Sequence, residues 1–176
     1  RRASQFLPFG VAEVDRALPG GGLAFGALHE VAGGGGGTVD GAAAALFVAG
    51  IAARSRGKVL WCMTRPDLFF PAVAQAGLHP DRVVFCESDR EEEALSAMEE
   101  GLSFGGLAAV VGELVRLPMT ASRRLQLAAE KTGAMGIVLR RWRRQNEASD
   151  YGQPTASTTR WRISTLPSEK LPVAGV

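Results

Sequence analysis

A chain of 176 residues with 46% hydrophobic and 22% charged side chains is long enough to build one domain with a full core. It has no apolar run approaching the roughly 18 residues of a membrane-spanning helix, no charged-then-apolar leader, and no Cys/His grouping with metal-ligand spacing. The formal net charge of +2 hides an asymmetry: residues 1–115 carry 9 basic and 14 acidic side chains, and residues 116–176 carry 11 and 4. A basic last third on a near-neutral protein predicts a polyanion or an acidic partner met from one side.

In chain order, Val11 to Leu18 reads as a short amphipathic helix ended by Pro19 and Gly20. Ala27 to Val31 is the first core strand, followed by a glycine loop and an Ala-rich helix from Asp40 to Arg56, with Asp40 as its expected N-cap. Lys58 to Met63 is a second strand, Pro66 opens a helix to Ala76, and Arg82 to Glu87 is a third strand. The helix from Asp89 to Phe104 has an acidic first turn, as the helix dipole favours. It reads as a solvated face, with docking of a basic partner as the alternative. Leu107 to Val111 is a fourth strand, Thr120 caps a helix ending at Gly133, and Gly136 to Arg140 is a fifth strand. Gln145 to Thr158 is polar and aperiodic, a mobile loop. Thr159 to Thr165 alternates as an edge strand would, and the segment from Leu166 to Val176 reads as a connector cut short.

Apolar β runs alternating with helices of this length define an α/β fold with βαβ units in a buried, mainly parallel sheet flanked by helices. We expect a single domain with an antiparallel strand at its C-terminal end. Cys62 and Cys86 both fall in strand-like runs and read as two buried, reduced thiols of a cytoplasmic protein, with a disulfide or redox pair as the alternative. His29 and His79 stand alone and read as structural. The chain starts without methionine and is read as a trimmed segment.

The glycine loop decides the functional reading. Strand, glycine loop and helix form the setting in which backbone N–H groups cradle a nucleotide phosphate and a lysine reaches the outer oxygens. The candidate loop is Gly33, Gly34, Gly35, Gly36, Gly37, Thr38, Asp40 and Gly41. In no register does a lysine fall where the phosphate-loop pattern needs one, and the first lysine of the chain is Lys58. Asp40 near a triphosphate would be unfavourable by about 4 kcal/mol for like charges at roughly 4 Å and an effective dielectric near 20. The loop is left as a bare anion nest at a helix N-terminus, or a loop kept small because no triphosphate orders it.

The run FGVAEVDRALPGGGLAFGALHEVAG, with the glycine loop and helix after it, resembles the opening of RecA-type cores, and KVLWCMT, LAAVVGE and GIVLRR resemble their later strands. Within that superfamily, LPGGGLAFGALHEV, GLHPDRVVF, AMEEGL and LPMTASRRLQLAAEK are similar to the ImuA family, the RecA-like accessory proteins of the bacterial SOS mutagenesis cassette. The resemblance implies a RecA-like P-loop NTPase core and a role in translesion synthesis in the bacterial cytoplasm, associated with the nucleoid. As partners it implies an ImuB-type polymerase homologue, RecA and, indirectly, an error-prone C-family polymerase. It also implies that family members continue beyond Val176.

A RecA-type ATPase needs an acid after the fourth strand for Mg²⁺ and a glutamate after the second strand for the attacking water. Here the matching acid position is Gly112, with Glu113 one residue later and therefore on the opposite strand face. Met63, Thr64 and Arg65 follow the second strand, with no carboxylate before Asp67. The expectation is a protein without ATPase activity, catalytic residues, cofactor or metal. Arg140, Arg141, Trp142, Arg143 and Arg144, with Arg160, Trp161 and Arg162, flank the polar loop and offer guanidinium groups for phosphates and indoles for bases of single-stranded DNA. The alternative is an edge strand that buries its tryptophan and leaves its arginines in solvent. Two rivals remain: a nucleotide-dependent recombinase paralogue, and a SulA-type cell-division inhibitor acting on FtsZ.

Overall fold

Each apolar β run is followed by a helix, and the chain folds accordingly. The computed structural model describes residues 5–167 apart from Gly36 and Arg143; these two site residues and the end of the terminal connector lie outside the described residues. Strand β1 (Phe6–Leu7), helix α1 (Ala12–Ala17) and strand β2 (Leu23–Ala24) lead in, with β1 and β2 paired antiparallel. The core follows as β3 (Leu28–Gly33), α2 (Thr38–Arg54), β4 (Val59–Met63), α3 (Phe70–Gln75), β5 (Val83–Glu87), α4 (Glu91–Phe104), β6 (Ala109–Leu114), α5 (Met119–Thr132) and β7 (Met135–Arg140). A 3₁₀ segment, Gln145–Gly152, leads to β8 (Thr159–Ile163).

The main sheet has the order β5-β4-β6-β7-β3-β8, and every pairing in it is parallel. Connections that step toward β5 place α2 and α3 on one face, while those that step back place α4 and α5 on the other, as right-handed crossovers require. Helix α2 seals its face with Ala44, Val48, Ile51 and Ala52 against Val31, Trp61, Val111 and Ile137. Helices α4 and α5 seal theirs with Met98, Leu102 and Leu125 against Cys62, Val110 and Val138. Strands buried on both faces explain why β3, β6 and β7 read as continuous runs.

The expected antiparallel strand at the C-terminal end is corrected: β8 runs parallel to β3, and the antiparallel pair is at the N-terminal end. Its parallel course follows from the connection after β7, which crosses beneath β3 and enters from the same end. Helix α3 is shorter than expected from Pro66, because a helix running from there would place Pro71 in its interior, against the carbonyl of Asp67; Pro71 instead sits in the first turn. Strand β6 runs past Val111 through Glu113, since both residues after Val111 are buried and paired with β7. Gln145 to Thr158 is corrected from a mobile loop: it carries the 3₁₀ segment, whose Tyr151 is 6% exposed.

Candidate functional site

The glycine loop leaves the C-terminal end of β3, between β7 and β8, where open α/β sheets bind ligands. Its tight backbone has an internal cause. Gly34 donates its N–H to the carbonyl of Ile163 at 2.7 Å, and a side chain on Gly34 would begin 1.7 Å from the Ser164 hydroxyl oxygen. Glycine is required here for close approach to the segment after β8, whether or not a phosphate ever enters.

Asp40 is not the N-cap: α2 begins at Thr38 after Gly37, and Asp40 lies in its first turn. Its carboxylate reaches back to accept the Gly35 N–H at 2.7 Å, and its other oxygen accepts the N–H and hydroxyl of Thr165 at 3.0 and 3.1 Å. The N–H groups of Thr165 and then Gly35 hold its carboxyl below the usual carboxylate range. The loop's anion is a side chain of its own helix.

Strand alternation sorts the two candidate acid positions. Gly112 faces α4, where an added side-chain carbon would lie 2.5 Å from the sulfur of Met98, leaving no room for a carboxylate. Glu113 faces the α2 side, 7% exposed, and accepts hydrogen bonds from the Trp61 indole and the Arg141 guanidinium, both at 2.8 Å. Arg141 also donates to both oxygens of Asp67, at 2.7 and 3.2 Å. Partial burial pushes the Asp67 carboxyl up, but the Arg141 guanidinium outweighs it and holds the group below its ordinary value. Two clefts meet at Arg65 and Arg141. The smaller, about 300 Å³, is lined by Asp89, Glu91, Glu113 and Arg116; the larger, about 640 Å³, by the glycine loop, the start of α2, Leu68, Phe69 and Trp142.

The arginine set predicted for DNA is divided by the fold. Arg140 is corrected: its side chain is fully buried, donating to Glu30 at 3.0 Å, to the Val115 carbonyl at 2.7 Å and to Asp150. It presents nothing to a ligand. Glu30 in turn accepts from Ser157 at 2.8 Å and from Thr155, and pairs with Arg160 at 3.4 Å. Arg160 also donates to the Tyr151 carbonyl and lies over the Tyr151 ring, 4.4 Å from its centroid. Trp161 is turned inward, tilted against the rings of Phe9 and Phe47 at 5.2 and 5.6 Å, with its N–H on Thr159. Arg162 and Arg144 are exposed, and Trp142 is half-buried against Tyr151 at 5.9 Å. Among the described residues of the set, the outward surface left for a polyanion is therefore Arg144, Arg162 and the open edge of Trp142.

Sequence reasoning passed over Glu30, Trp61, Asp67 as a partner for Arg141, Asp150 and Tyr151. Glu30 had a signal, since one acid inside the buried run LHEVAG demands a cationic partner. Tyr151 had none, standing in a polar stretch without periodicity.

These features define an α/β protein with a parallel six-stranded sheet whose glycine loop and acid position are both closed by its own side chains. No family model matches the chain. Over 177 aligned residues it is 41% identical to the protein ImuA from two strains of Caulobacter vibrioides, spanning 96% of this chain and 72% of the relative. The crystal structure of SulA from Pseudomonas aeruginosa matches with a TM-score of 0.53 and 22% identity, covering 64% of this chain and 96% of that one, a likeness of fold alone. The chain belongs to the ImuA family, which places it in the context of SOS mutagenesis. Among the described residues no helix is long and apolar enough to cross a membrane, and no three His, Cys, Asp or Glu side chains group to hold a metal ion.

Proposed function

We propose that this protein is a non-catalytic RecA-like scaffold of SOS-induced translesion synthesis, working at the nucleoid by binding an ImuB-type polymerase homologue and RecA. Through them it meets an error-prone C-family polymerase. The observation that carries this reading is the occupation of the nucleotide edge by internal ion pairs. Asp40 takes a glycine-loop N–H, and the Arg141 guanidinium lies between Glu113 and Asp67. A triphosphate would have to displace Asp40, and a Mg²⁺ ion would have to displace a guanidinium already paired to two carboxylates. Both exchanges remove charge-assisted hydrogen bonds, which are shorter and stronger than bonds between neutral groups.

A scaffold of this kind presents RecA-like surfaces without an ATP-driven cycle, for example by capping a RecA filament so that the polymerase gains the DNA. The test is RecA-mediated strand exchange with equimolar protein, alongside capture of purified ImuB. Inhibited exchange or ImuB capture, unchanged by ATP, is expected; neither effect would sink the reading, and saturable Mg²⁺-ATP binding would move it to the recombinase-paralogue account. Single-stranded DNA, if bound, is met by Arg144 and Arg162. Salt-sensitive anisotropy of a labelled oligo-dT, weakened by Arg144→Ala with Arg162→Ala, is the expected sign. The rival reading, a SulA-type cell-division inhibitor, is separated by the same assay: capture of FtsZ in place of ImuB and RecA would favour it.

A further inference from the structure

The two cysteines are brought side by side by the sheet. Cys62 on β4 and Cys86 on β5 are register partners in a parallel pair, so both side chains leave the sheet on the same face, toward α4. Neighbouring strands lie about 4.8 Å apart, inside the roughly 4.4–6.8 Å separation of Cα atoms that a disulfide spans. The two thiols differ in access: Cys62 is fully buried beneath α4, while Cys86 lies on the edge strand and is only half-buried.

We infer that Cys62 and Cys86 form a thiol pair that hydroperoxides convert to an intramolecular disulfide, with Cys86 as the attacking thiol and Cys62 as the resolving one. In the first step the Cys86 sulfur attacks the outer peroxide oxygen, an S–O bond forms as the O–O bond breaks, and the products are a sulfenic acid and the corresponding alcohol, or water when the oxidant is hydrogen peroxide. Sulfur is oxidised by two electrons and the peroxide reduced by two. In the second step the Cys62 sulfur attacks the Cys86 sulfur, the S–S bond forms, the S–O bond breaks, and the hydroxyl leaves with the Cys62 proton as water. Neither step needs another reactant.

The order of attack follows from access and ionisation. Burial, with Cys86 alongside, pushes the Cys62 thiol up to about 12, which disqualifies it as the first nucleophile in water. At pH 8 only about one Cys62 in ten thousand would be ionised. An effective molarity of about 10⁵ M or more for a group held against its target offsets that loss, provided the target is the neighbouring sulfur. This inference is independent of the scaffold reading.

The test treats the folded protein with hydrogen peroxide, alkylates it and digests it with trypsin, which releases residues 59–82 and 83–90 as the two cysteine peptides, since Pro66 blocks cleavage after Arg65. A disulfide-linked pair of these peptides, removed by dithiothreitol, is expected, together with loss of both free thiols and no dimer. In Cys86→Ser, Cys62 should stay reduced under the same treatment, with its oxidation at least 10-fold slower. In Cys62→Ala, Cys86 should accumulate as a dimedone-trapped sulfenic acid that the native protein does not accumulate. If Cys62→Ala does not fold, the Cys86→Ser comparison still decides. Oxidation of Cys86 to sulfinic acid with Cys62 free, Cys62 oxidising at the native rate in Cys86→Ser, or cross-linking between molecules would each overturn the inference.

Discussion

Arg140 and Arg141 are neighbours in the chain, yet they serve opposite faces of the sheet in opposite ways. Arg140 points to the α4 and α5 side and closes onto Glu30, Asp150 and the Val115 carbonyl with no exposure. Arg141 points to the α2 side, 21% exposed, and bridges Glu113 and Asp67 where two clefts meet. The first is a fold-holding network that seals the long connection into β8. The second is a surface-facing bridge where the two clefts meet. The same residue type, one position apart, is structural in one case and defines the character of the site in the other.

The sharpest way to break this contrast is to remove each guanidinium. Arg140→Met leaves Glu30 charged and buried, and should cost about 3–5 kcal/mol of stability, read as a lower denaturant midpoint. Adding Glu30→Gln should recover part of that loss, because the stranded charge rather than the missing contact dominates. Arg141→Ala should cost less, about 1–3 kcal/mol, since Asp67 is open to water and Glu113 keeps the Trp61 N–H. Equal losses in Arg140→Met and Arg141→Ala would erase the distinction drawn here.

A pH titration sharpens it from the side of β8. His29, buried between β3 and its neighbours, has its Nε2 on the Ala24 carbonyl and Nδ1 on Thr159. Burial holds its pKa below the ordinary value near 6.5, against the opposing pull of the Ala24 carbonyl. The unfolded chain therefore takes up the proton first. Stability is full above about pH 6.5 and falls as pH drops below it toward the lowered folded value. In His29→Gln the slope in that window should vanish. The carboxylates of Asp40 and Asp67, lowered in the fold, contribute a separate loss at more acid pH.

Asp40→Ala should have the smallest effect on global stability. The loop tie is exposed, so its loss should appear as faster amide exchange at Gly35 and Thr165, with the denaturant midpoint nearly unmoved. Protection at those two amides unchanged from the native protein would show that Asp40 does not hold the loop.

Much of the fold was legible because its signals are local. Apolar runs separated by helical patterns named every core strand, and the alternation Arg160, Trp161, Arg162 carried, as the alternative to a DNA contact, a strand with its indole inward, although Arg160 folds back onto Glu30 and Tyr151. Glycines at helix ends were legible too: Gly133, with φ of 84°, adopts the left-handed turn that stops α5. The missing lysine and the acid step from Gly112 to Glu113 were equally plain. What escaped was partnership. The cluster from Arg140 to Arg144 looks like one basic patch as a string, but β7 carries Arg140 into the core and leaves Arg144 outside.

The sequence by itself determined that this is an α/β chain without a lysine in its glycine loop, because periodicity and the absence of a residue are properties of the string. Only the tertiary structure decided which charges are spent internally. Glu30 and Arg140 lie 110 positions apart, and Cys62 and Cys86 meet only because β4 and β5 pair in register. Those encounters depend on strand order and on the parallel course of β8 beside β3. Both are set by how helices pack across the two faces of the sheet, and no local pattern encodes that packing.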